Sequence, residues 1–216
     1  MKPRLLVTGF GPFPSVATNP SGEVARRVAA SPRFRRLGVE AQALVLPTAY
    51  SSIEGVLAPA LAGGFDAVLM VGVAGRAKKI RVERRAANRA SLLSPDAEGR
   101  RRTGLTLTPG PAHRASAAAV SCALHRLRRH RLPCRLSQDA GRYLCNAAYY
   151  AALAGPVPVL FLHIPKPPAV RPRKRNAKRA RDSWHERLAA AFADIAIDLL
   201  GAARALRARG RPGGAA

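Results

Sequence analysis

Short apolar runs alternate with amphipathic segments along the first third of the chain, and this alternation predicts strands connected by helices. Three runs have the composition of strands, at residues 4–8, 39–46 and 67–73. The third holds only apolar residues and glycine, which is typical of a central strand buried on both faces. One helix is expected to begin at Asn19-Pro20, which provides an N-cap and a first-turn proline. A second helix is expected over residues 51–62. This order of elements predicts a mainly parallel α/β sheet.

The rest of the chain continues the pattern with further helices and one strand. A helix is expected over residues 116–129, a second begins near Tyr143, and an apolar strand ends at His163 before a proline. The last helix is expected over residues 184–206. Its inward stripe comprises Leu188, Phe192, Ile195 and Leu199. Residues 79–88 alternate only weakly and are interpreted as an exposed extended arm.

Cys145 is the first chemical candidate in the sequence. It follows a polar loop that contains Gly141, and it would occupy the first turn of the helix that begins near Tyr143. Unpaired backbone N–H groups and the helix dipole favour an anion at such a place, so the thiol would react as a thiolate nucleophile. The alternative is a buried, small hydrophobic residue, as most free cysteines are. The local sequence leaves both open.

Two further titratable residues are candidates to act with this cysteine. His163 is expected at the C-terminal tip of a parallel strand, the edge at which open α/β sheets bind ligands. The alternative is a structural imidazole whose hydrogen bonds are satisfied. Glu83 is the one acid in the otherwise basic stretch 76–85. It either balances a basic surface or orients a histidine as its carboxylate partner.

The loop at residues 9–14 contains two glycines and two prolines, so it has a defined but irregular shape. Phe10 and Phe13 are large apolar side chains within it. They either fill the core beneath the loop or form the walls of an apolar ligand pocket at the end of the first strand.

Length and composition indicate one globular domain, since 216 residues with 48% hydrophobic content can bury a full core. We expect this domain over residues 1–208, with a basic connector at 166–182 and a flexible tail at 209–216. No apolar run is long enough to span a bilayer, and the first residues lack the pattern of a signal peptide. Three cysteines without metal-type spacing favour a reducing cytoplasm.

The net charge of +25, from 37 Lys and Arg against 12 Asp and Glu, fits either nucleic-acid affinity or a solvated arginine-rich surface. The densest basic run, at residues 171–181, contains proline and no aromatic side chain that would stack on a nucleobase. We therefore expect no specific nucleic-acid recognition, while nonspecific, salt-sensitive binding remains open.

Four motifs occur in order along the chain. They are Val7-Thr8-Gly9-Phe10-Gly11-Pro12-Phe13 with Asn19-Pro20-Ser21; Val71-Gly72-Val73-Ala74-Gly75; Val82-Glu83-Arg84 with Ala87-Asn88 and Pro95-Asp96; and Asp139-Ala140-Gly141-Arg142-Tyr143-Leu144-Cys145-Asn146 followed by Phe161-Leu162-His163-Ile164-Pro165. Each is weak alone, but together they resemble the type I pyroglutamyl peptidases, also called pyrrolidone-carboxylate peptidases. The resemblance covers residues 5 to about 165.

The resemblance implies a single-domain, three-layer α/β/α sandwich related to the phosphorylase- and hydrolase-like folds. It also implies a cysteine exopeptidase that removes N-terminal pyroglutamate from peptides, without a cofactor or metal. In the matching positions, Cys145 is the nucleophile, His163 transfers protons and Glu83 orients the imidazole. The backbone N–H of Cys145 is then a ready donor to the oxyanion.

The resemblance also assigns the substrate slot. Phe10 and Phe13 match the family's walls around the flat lactam ring. Asn19 and the backbone of Val73 match the polar groups of the protein that recognise this ring. A neutral lactam has one N–H and one C=O to satisfy, so an apolar slot with few polar groups suffices. The partners expected are therefore pyroglutamyl peptides, with a homodimer or homotetramer as a possible assembly.

Two departures from the family pattern stand out. Leu93 occupies the place where family members often have an arginine near the oxyanion, and the basic run at 171–181 matches no family feature. An alternative function is therefore an inactive or repurposed family fold that binds an acidic partner such as RNA. The joint presence of Glu83, Cys145 and His163 favours the peptidase.

Overall fold

A computed structural model describes residues 2–12, 18–118, 120–167 and 174–209 of the chain. The strands are β1 (Arg4–Phe10), β2 (Glu40–Leu46), β3 (Ala67–Val73), β4 (Ile80–Glu83), β5 (Arg85–Ala87), β6 (His113–Ala115), β7 (Cys134–Ser137) and β8 (Val159–Ile164). The α-helices are α1 (Pro20–Ala29), α2 (Pro32–Arg36), α3 (Ala58–Ala62), α4 (Val120–Arg129), α5 (Leu144–Ala152) and α6 (Lys174–Arg209). A π-helical segment, Ile53–Leu57, leads into α3.

Six strands form the central sheet in the order β2-β1-β3-β8-β4-β7. Neighbouring strands run parallel except for β4, which is antiparallel to β8 and parallel to β7. Strands β5 and β6 form a separate antiparallel pair. The predicted, mainly parallel α/β sheet is confirmed, and β3 is a buried inner strand as its composition indicated.

Helices cover both faces of the sheet and give the expected three layers. Apolar residues of α1, α4 and α6 form one core with one face of the strands. The π-helical segment, α3 and α5 form a second core on the other face. All four residues of the stripe predicted for the last helix are buried: Leu188, Phe192, Ile195 and Leu199. Within the described ranges, no helix is long and apolar enough to cross a membrane.

The interpretation of residues 79–88 as an exposed arm is wrong. Strand β4 lies between β8 and β7, and its Ile80 and Val82 are buried in the first core. Its alternate residues, Arg81 and Glu83, point to the opposite face, which is also covered. The weak alternation therefore marks a strand with one apolar and one polar buried face.

The final helix begins at Lys174 instead of Trp184, so it takes in part of the segment expected to be a basic connector. Residues 168–173 of that segment, and residues 210–216 of the expected flexible tail, lie outside the described residues. Strand β7 was not predicted, because it is short and lies at the edge of the sheet.

Candidate active site

Cys145 lies in the first turn of α5, where the sequence placed it. Helix α5 begins at Leu144, and its N-cap residue, Tyr143, contributes no capping side chain. The backbone N–H groups of Leu144, Cys145 and Asn146 find no acceptor in the part of the chain that is described. The half-buried thiol of Cys145 therefore sits among unpaired donors at the positive end of a helix dipole.

Gly72 of β3 allows this thiol to rest directly on the sheet. A Cβ atom at position 72 would lie 2.8 Å from Cys145 Sγ and 2.8 Å from Cζ of Phe161. Such a separation is far inside normal contact, so the end of α5 can approach only because residue 72 has no side chain. The signal in the sequence was a glycine inside an otherwise apolar strand, a pattern that often marks close approach of another group.

His163 is next to this position across the sheet. It is the register partner of Gly72 on the neighbouring strand β8, and it is 95% buried. The thiol of Cys145, which rests over Gly72, lies beside its imidazole. Its Nδ1 lies 2.9 Å from Oε1 of Glu83. Since a carboxylate can only accept, Nδ1 carries the proton in that bond, and Nε2 is the ring nitrogen left for the thiol.

The pKa of His163 is raised by this arrangement. Burial alone would lower it, because an apolar environment disfavours the imidazolium. Hydrogen bonds to Cys145 and Glu83, together with the negative charges of these partners, outweigh burial and raise the pKa of His163 from 6.5 to about 9. The geometry therefore favours an imidazolium beside the cysteine and the carboxylate at neutral pH.

Glu83 is fully buried at the end of β4 and is fixed on several sides. The hydroxyl of Tyr149, from α5, donates to the backbone carbonyl of Glu83 at 2.9 Å. The ring of Phe161 packs against the imidazole of His163, with 4.7 Å between ring centroids. The backbone of Glu83 is thus held by α5, and the imidazole of His163 by a neighbouring aromatic ring.

Asn146 connects helix α5 to the segment that follows Glu83. Its Oδ1 accepts from the backbone N–H of Ala87 at 2.9 Å, and its Nδ2 donates to the carbonyls of Ala87 and Arg89. The sequence analysis missed this role, as it missed those of Gly72 and Tyr149. The available signal was an asparagine inside a helix, where this residue is unfavourable unless its side chain has a partner.

The residues expected to form the substrate slot are placed as follows. Phe10 ends β1 and is 96% buried in the second core. Val73 follows Gly72 at the end of β3, and its side chain is partly buried. Phe13 lies outside the described residues. The register places Phe10 at the level of Gly72, on the same face of the sheet, because Thr8 pairs with Met70 two residues earlier on each strand.

Asn19 is engaged within the protein. Its Oδ1 caps helix α1 by accepting hydrogen bonds from the N–H and the hydroxyl of Ser21. Its Nδ2 donates to the carbonyl of Gly11 at 3.0 Å. The N-cap prediction is confirmed, and the amide holds the backbone just after Phe10.

Leu93 is 83% exposed and makes no contribution of charge near Cys145. Its loop is nevertheless well anchored beside α5. The backbone N–H of Ser91 donates to the carbonyl of Arg142, and the Tyr143 hydroxyl donates to the carbonyl of Pro95 at 2.7 Å.

Asp96 is a buried acid in the same loop. Burial tends to raise the pKa of Asp96, but backbone donors, from Tyr50 and from two residues of its own loop, lower this pKa below the ordinary value.

Among the described residues, no three His, Cys, Asp or Glu side chains are grouped as metal ligands would be. The side chains brought together are of the types that serve as a nucleophile, a proton carrier and an orienting carboxylate. Such a set of side chains performs acyl transfer through a covalent intermediate.

Comparison with known proteins gives one consistent family. The family model described as pyroglutamyl peptidase matches residues 3–198. The pyrrolidone-carboxylate peptidase of Gloeobacter violaceus is 34% identical over 169 residues, which is 75% of this chain and 81% of that protein.

Solved structures agree with this assignment. The pyrrolidone carboxyl peptidase of Thermus thermophilus superposes with a TM-score of 0.72 and 32% identity, covering 90% of this chain and 98% of the other. The pyroglutamyl peptidase I of Bacillus amyloliquefaciens superposes with a TM-score of 0.76 and 25% identity, covering 93% and 96%. The chain therefore belongs to the pyroglutamyl peptidase family.

Proposed function

We propose that this protein is a cysteine exopeptidase that hydrolyses the bond after an N-terminal pyroglutamyl residue, with Cys145 as nucleophile. The observation that carries the proposal is the contact of three side chains from three separate elements: Cys145 on α5, His163 on β8 and Glu83 on β4. Family membership supplies the class of substrate.

In the first half of the reaction, the thiolate of Cys145 attacks the carbonyl carbon of the pyroglutamyl residue and forms a tetrahedral intermediate. The backbone N–H of Cys145 is one of the unpaired donors available for its oxyanion. The imidazolium of His163 gives its proton to the leaving amine, the C–N bond breaks, and a thioester remains.

In the second half, neutral His163 accepts a proton from water, whose oxygen attacks the thioester carbonyl. The C–S bond breaks, and pyroglutamate leaves. Glu83 holds the Nδ1–H of the imidazole throughout and stabilises its charged form, so Nε2 faces the reacting atoms in both halves.

The slot for the lactam ring is proposed at the ends of β1 and β3. Phe10 and Phe13 supply its apolar walls, and the backbone of Val73 supplies a polar group. Asn19 acts at the slot by fixing the carbonyl of Gly11, next to Phe10. Since Phe10 is almost fully buried, the wall that it contributes is also part of the second core.

A pyroglutamyl-aminocoumarin substrate tests the function directly. The purified protein should release aminocoumarin, and Cys145→Ser should abolish release while the far-UV spectrum and melting temperature stay as in the wild type. Cys122→Ser is the matched control, because Cys122 is an exposed thiol on α4, away from His163. Activity that survives in Cys145→Ser, or that is lost in Cys122→Ser, would contradict the assignment of the nucleophile.

Iodoacetamide gives a second measure of the same assignment. It should inactivate the enzyme by alkylating Cys145 faster than Cys122 or half-buried Cys134, because Cys145 has the imidazolium beside it. Mass spectrometry of partly inactivated samples checks the order of labelling. Equal labelling of all three thiols with activity retained would contradict it.

We propose that the protein acts in the cytoplasm. We also propose that it assembles into homo-oligomers of two or four subunits. All three cysteines are free thiols, and a reducing compartment keeps a thiolate nucleophile active. Fractionation of the native cells and size-exclusion chromatography with light scattering test the two statements separately.

A further inference from the structure

Arg81 lies beside the proposed catalytic side chains but has no role in the reaction described above. It is the register partner of His163, on the antiparallel neighbour β4. Directly paired residues of adjacent strands project to the same face and have Cα atoms roughly 5 Å apart. The side chain of Arg81 therefore leaves the sheet next to the imidazole, on the face where Cys145 lies.

The guanidinium of Arg81 includes a buried nitrogen that lacks a partner in the described ranges. Its Nε is buried and has no hydrogen-bond partner among the described residues. The nearest acid along the strand, Glu83, gives Oε1 to His163, and its own Oε2 is also without a partner in those residues. A buried donor without an acceptor costs free energy, so a partner supplied by a ligand is favourable here. The residue as a whole is half-buried, so a ligand can reach it.

The direction of the substrate follows from the order of the strands. Phe10 on β1, Gly72 on β3, His163 on β8 and Arg81 on β4 follow one another across a single face. The lactam ring is placed at the Phe10 end, and Cys145 sits over Gly72. His163 must face the leaving amine in order to protonate it. The leaving peptide therefore extends past His163, and the next side chain that it meets is Arg81.

We propose that Arg81 binds a carboxylate on the leaving peptide, and so makes the enzyme prefer pyroglutamyl substrates with a negative charge just after the scissile bond. The inference rests on the proposed function and goes beyond it by naming the chemistry recognised on the leaving side. An arginine fork is suited to a carboxylate, because it donates two parallel hydrogen bonds.

The carboxylate has two possible sources, which substrates can separate. In pyroglutamyl-alanine it is the terminal α-carboxylate, and in pyroglutamyl-glutamate amide it is a side chain. Pyroglutamyl-alanine amide carries neither and serves as the reference. We expect wild-type kcat/KM to exceed that of the reference by about 10-fold for at least one charged substrate, the scale of one charge-assisted hydrogen bond. The charged substrate that shows the preference identifies the source.

Arg81→Met should reduce the ratio of kcat/KM between that substrate and the amide to about one, mainly through KM. Arg81→Lys should keep part of the ratio, because it retains the charge without the fork. Arg129→Met is the matched control: it removes one arginine from the end of α4, which packs on the opposite face of the sheet, and its ratio should equal that of the wild type.

The outcomes separate the inference from the function on which it rests. If none of the three substrates is cleaved, the proposed function is wrong. If all are cleaved at equal kcat/KM by the wild type, or if the preference survives in Arg81→Met, the role of Arg81 is wrong. Should Arg81→Met fail to fold, Arg81→Lys decides instead, because it keeps the charge without the fork and must lose part of the preference. A folded Arg81→Lys with the full wild-type preference would overturn the role of Arg81.

Discussion

Replacing Gly72 by alanine tests whether the thiol of Cys145 must rest directly on the sheet. The added Cβ would lie 2.8 Å from Cys145 Sγ and 2.8 Å from the ring of Phe161. Non-bonded heavy atoms settle at about 3.5–4.0 Å, so the sulfur or the ring must move by roughly 1 Å. Both neighbours contact His163, so neither can move without disturbing the pairing of thiol and imidazole.

The size of the effect follows from that displacement. A misplacement of about 1 Å in reacting groups costs on the order of 100-fold in rate. Overpacking in a close-packed region costs about 1–3 kcal/mol in the free energy of unfolding. We therefore expect Gly72→Ala to lose most of its kcat/KM on pyroglutamyl-aminocoumarin, and to lose a smaller share of its stability in urea.

Alkylation provides the readout that separates a displaced thiol from a poorly folded protein. Iodoacetamide should inactivate Gly72→Ala more slowly than the wild type at a urea concentration where both are folded. The control is Gly201→Ala in α6, where an added Cβ meets nothing within 4 Å. That change should leave activity intact and add about 0.4–1 kcal/mol of stability. A Gly72→Ala enzyme with wild-type kcat/KM and wild-type alkylation would refute the reasoning.

The remaining predictions concern His163, Glu83 and Phe10. His163→Ala should lower kcat more than Glu83→Gln, because the histidine transfers protons and the carboxylate only orients it; the reverse order would require direct substrate contact by Glu83. The alkaline limb of kcat/KM should have an apparent pKa near 9, the value to which the pKa of His163 is raised. The same shift stabilises the fold fully below pH 6.5, and this stability is lost as the pH rises through about 9, a trend that His163→Ala should lack. Phe10→Ala should cost about 3–5 kcal/mol of stability, because this ring is 96% buried, and urea titration at constant pH measures the loss.

Local signals predicted the elements that carry Cys145 and His163. The apolar run at residues 67–73 gave the central strand, Asn19-Pro20 gave the start of α1, and the loop before Tyr143 gave the start of α5. Each of these rests on neighbours in sequence: burial of a continuous apolar run, a cap, or a break in periodicity. The position of Cys145 in the first turn of a helix follows from the same kind of information.

Contacts between distant segments could not be predicted in that way. The hydrogen bond between His163 and Glu83 joins residues 80 positions apart, and that of Asn146 with Ala87 joins residues 59 apart. Composition and periodicity carry no information about which strands pair with each other. The resemblance to a family named the catalytic side chains, but Asn146 and Tyr149, which hold the elements together, emerged only from the fold.

Strand β4 shows why the pattern of alternation concealed that Glu83 and Arg81 lie on a covered face. Patterns of alternation assume that the polar face of a strand meets solvent, and charged residues in a basic stretch strengthen that interpretation. Here the polar face is instead covered by the site, where Glu83 meets His163 and Arg81 lies beside them. A buried polar face gives the same sequence pattern as an exposed one, because both select hydrophilic side chains. The difference lies in their partners: solvent satisfies any donor, whereas a buried donor such as Nε of Arg81, which has no partner among the described residues, requires a specific acceptor.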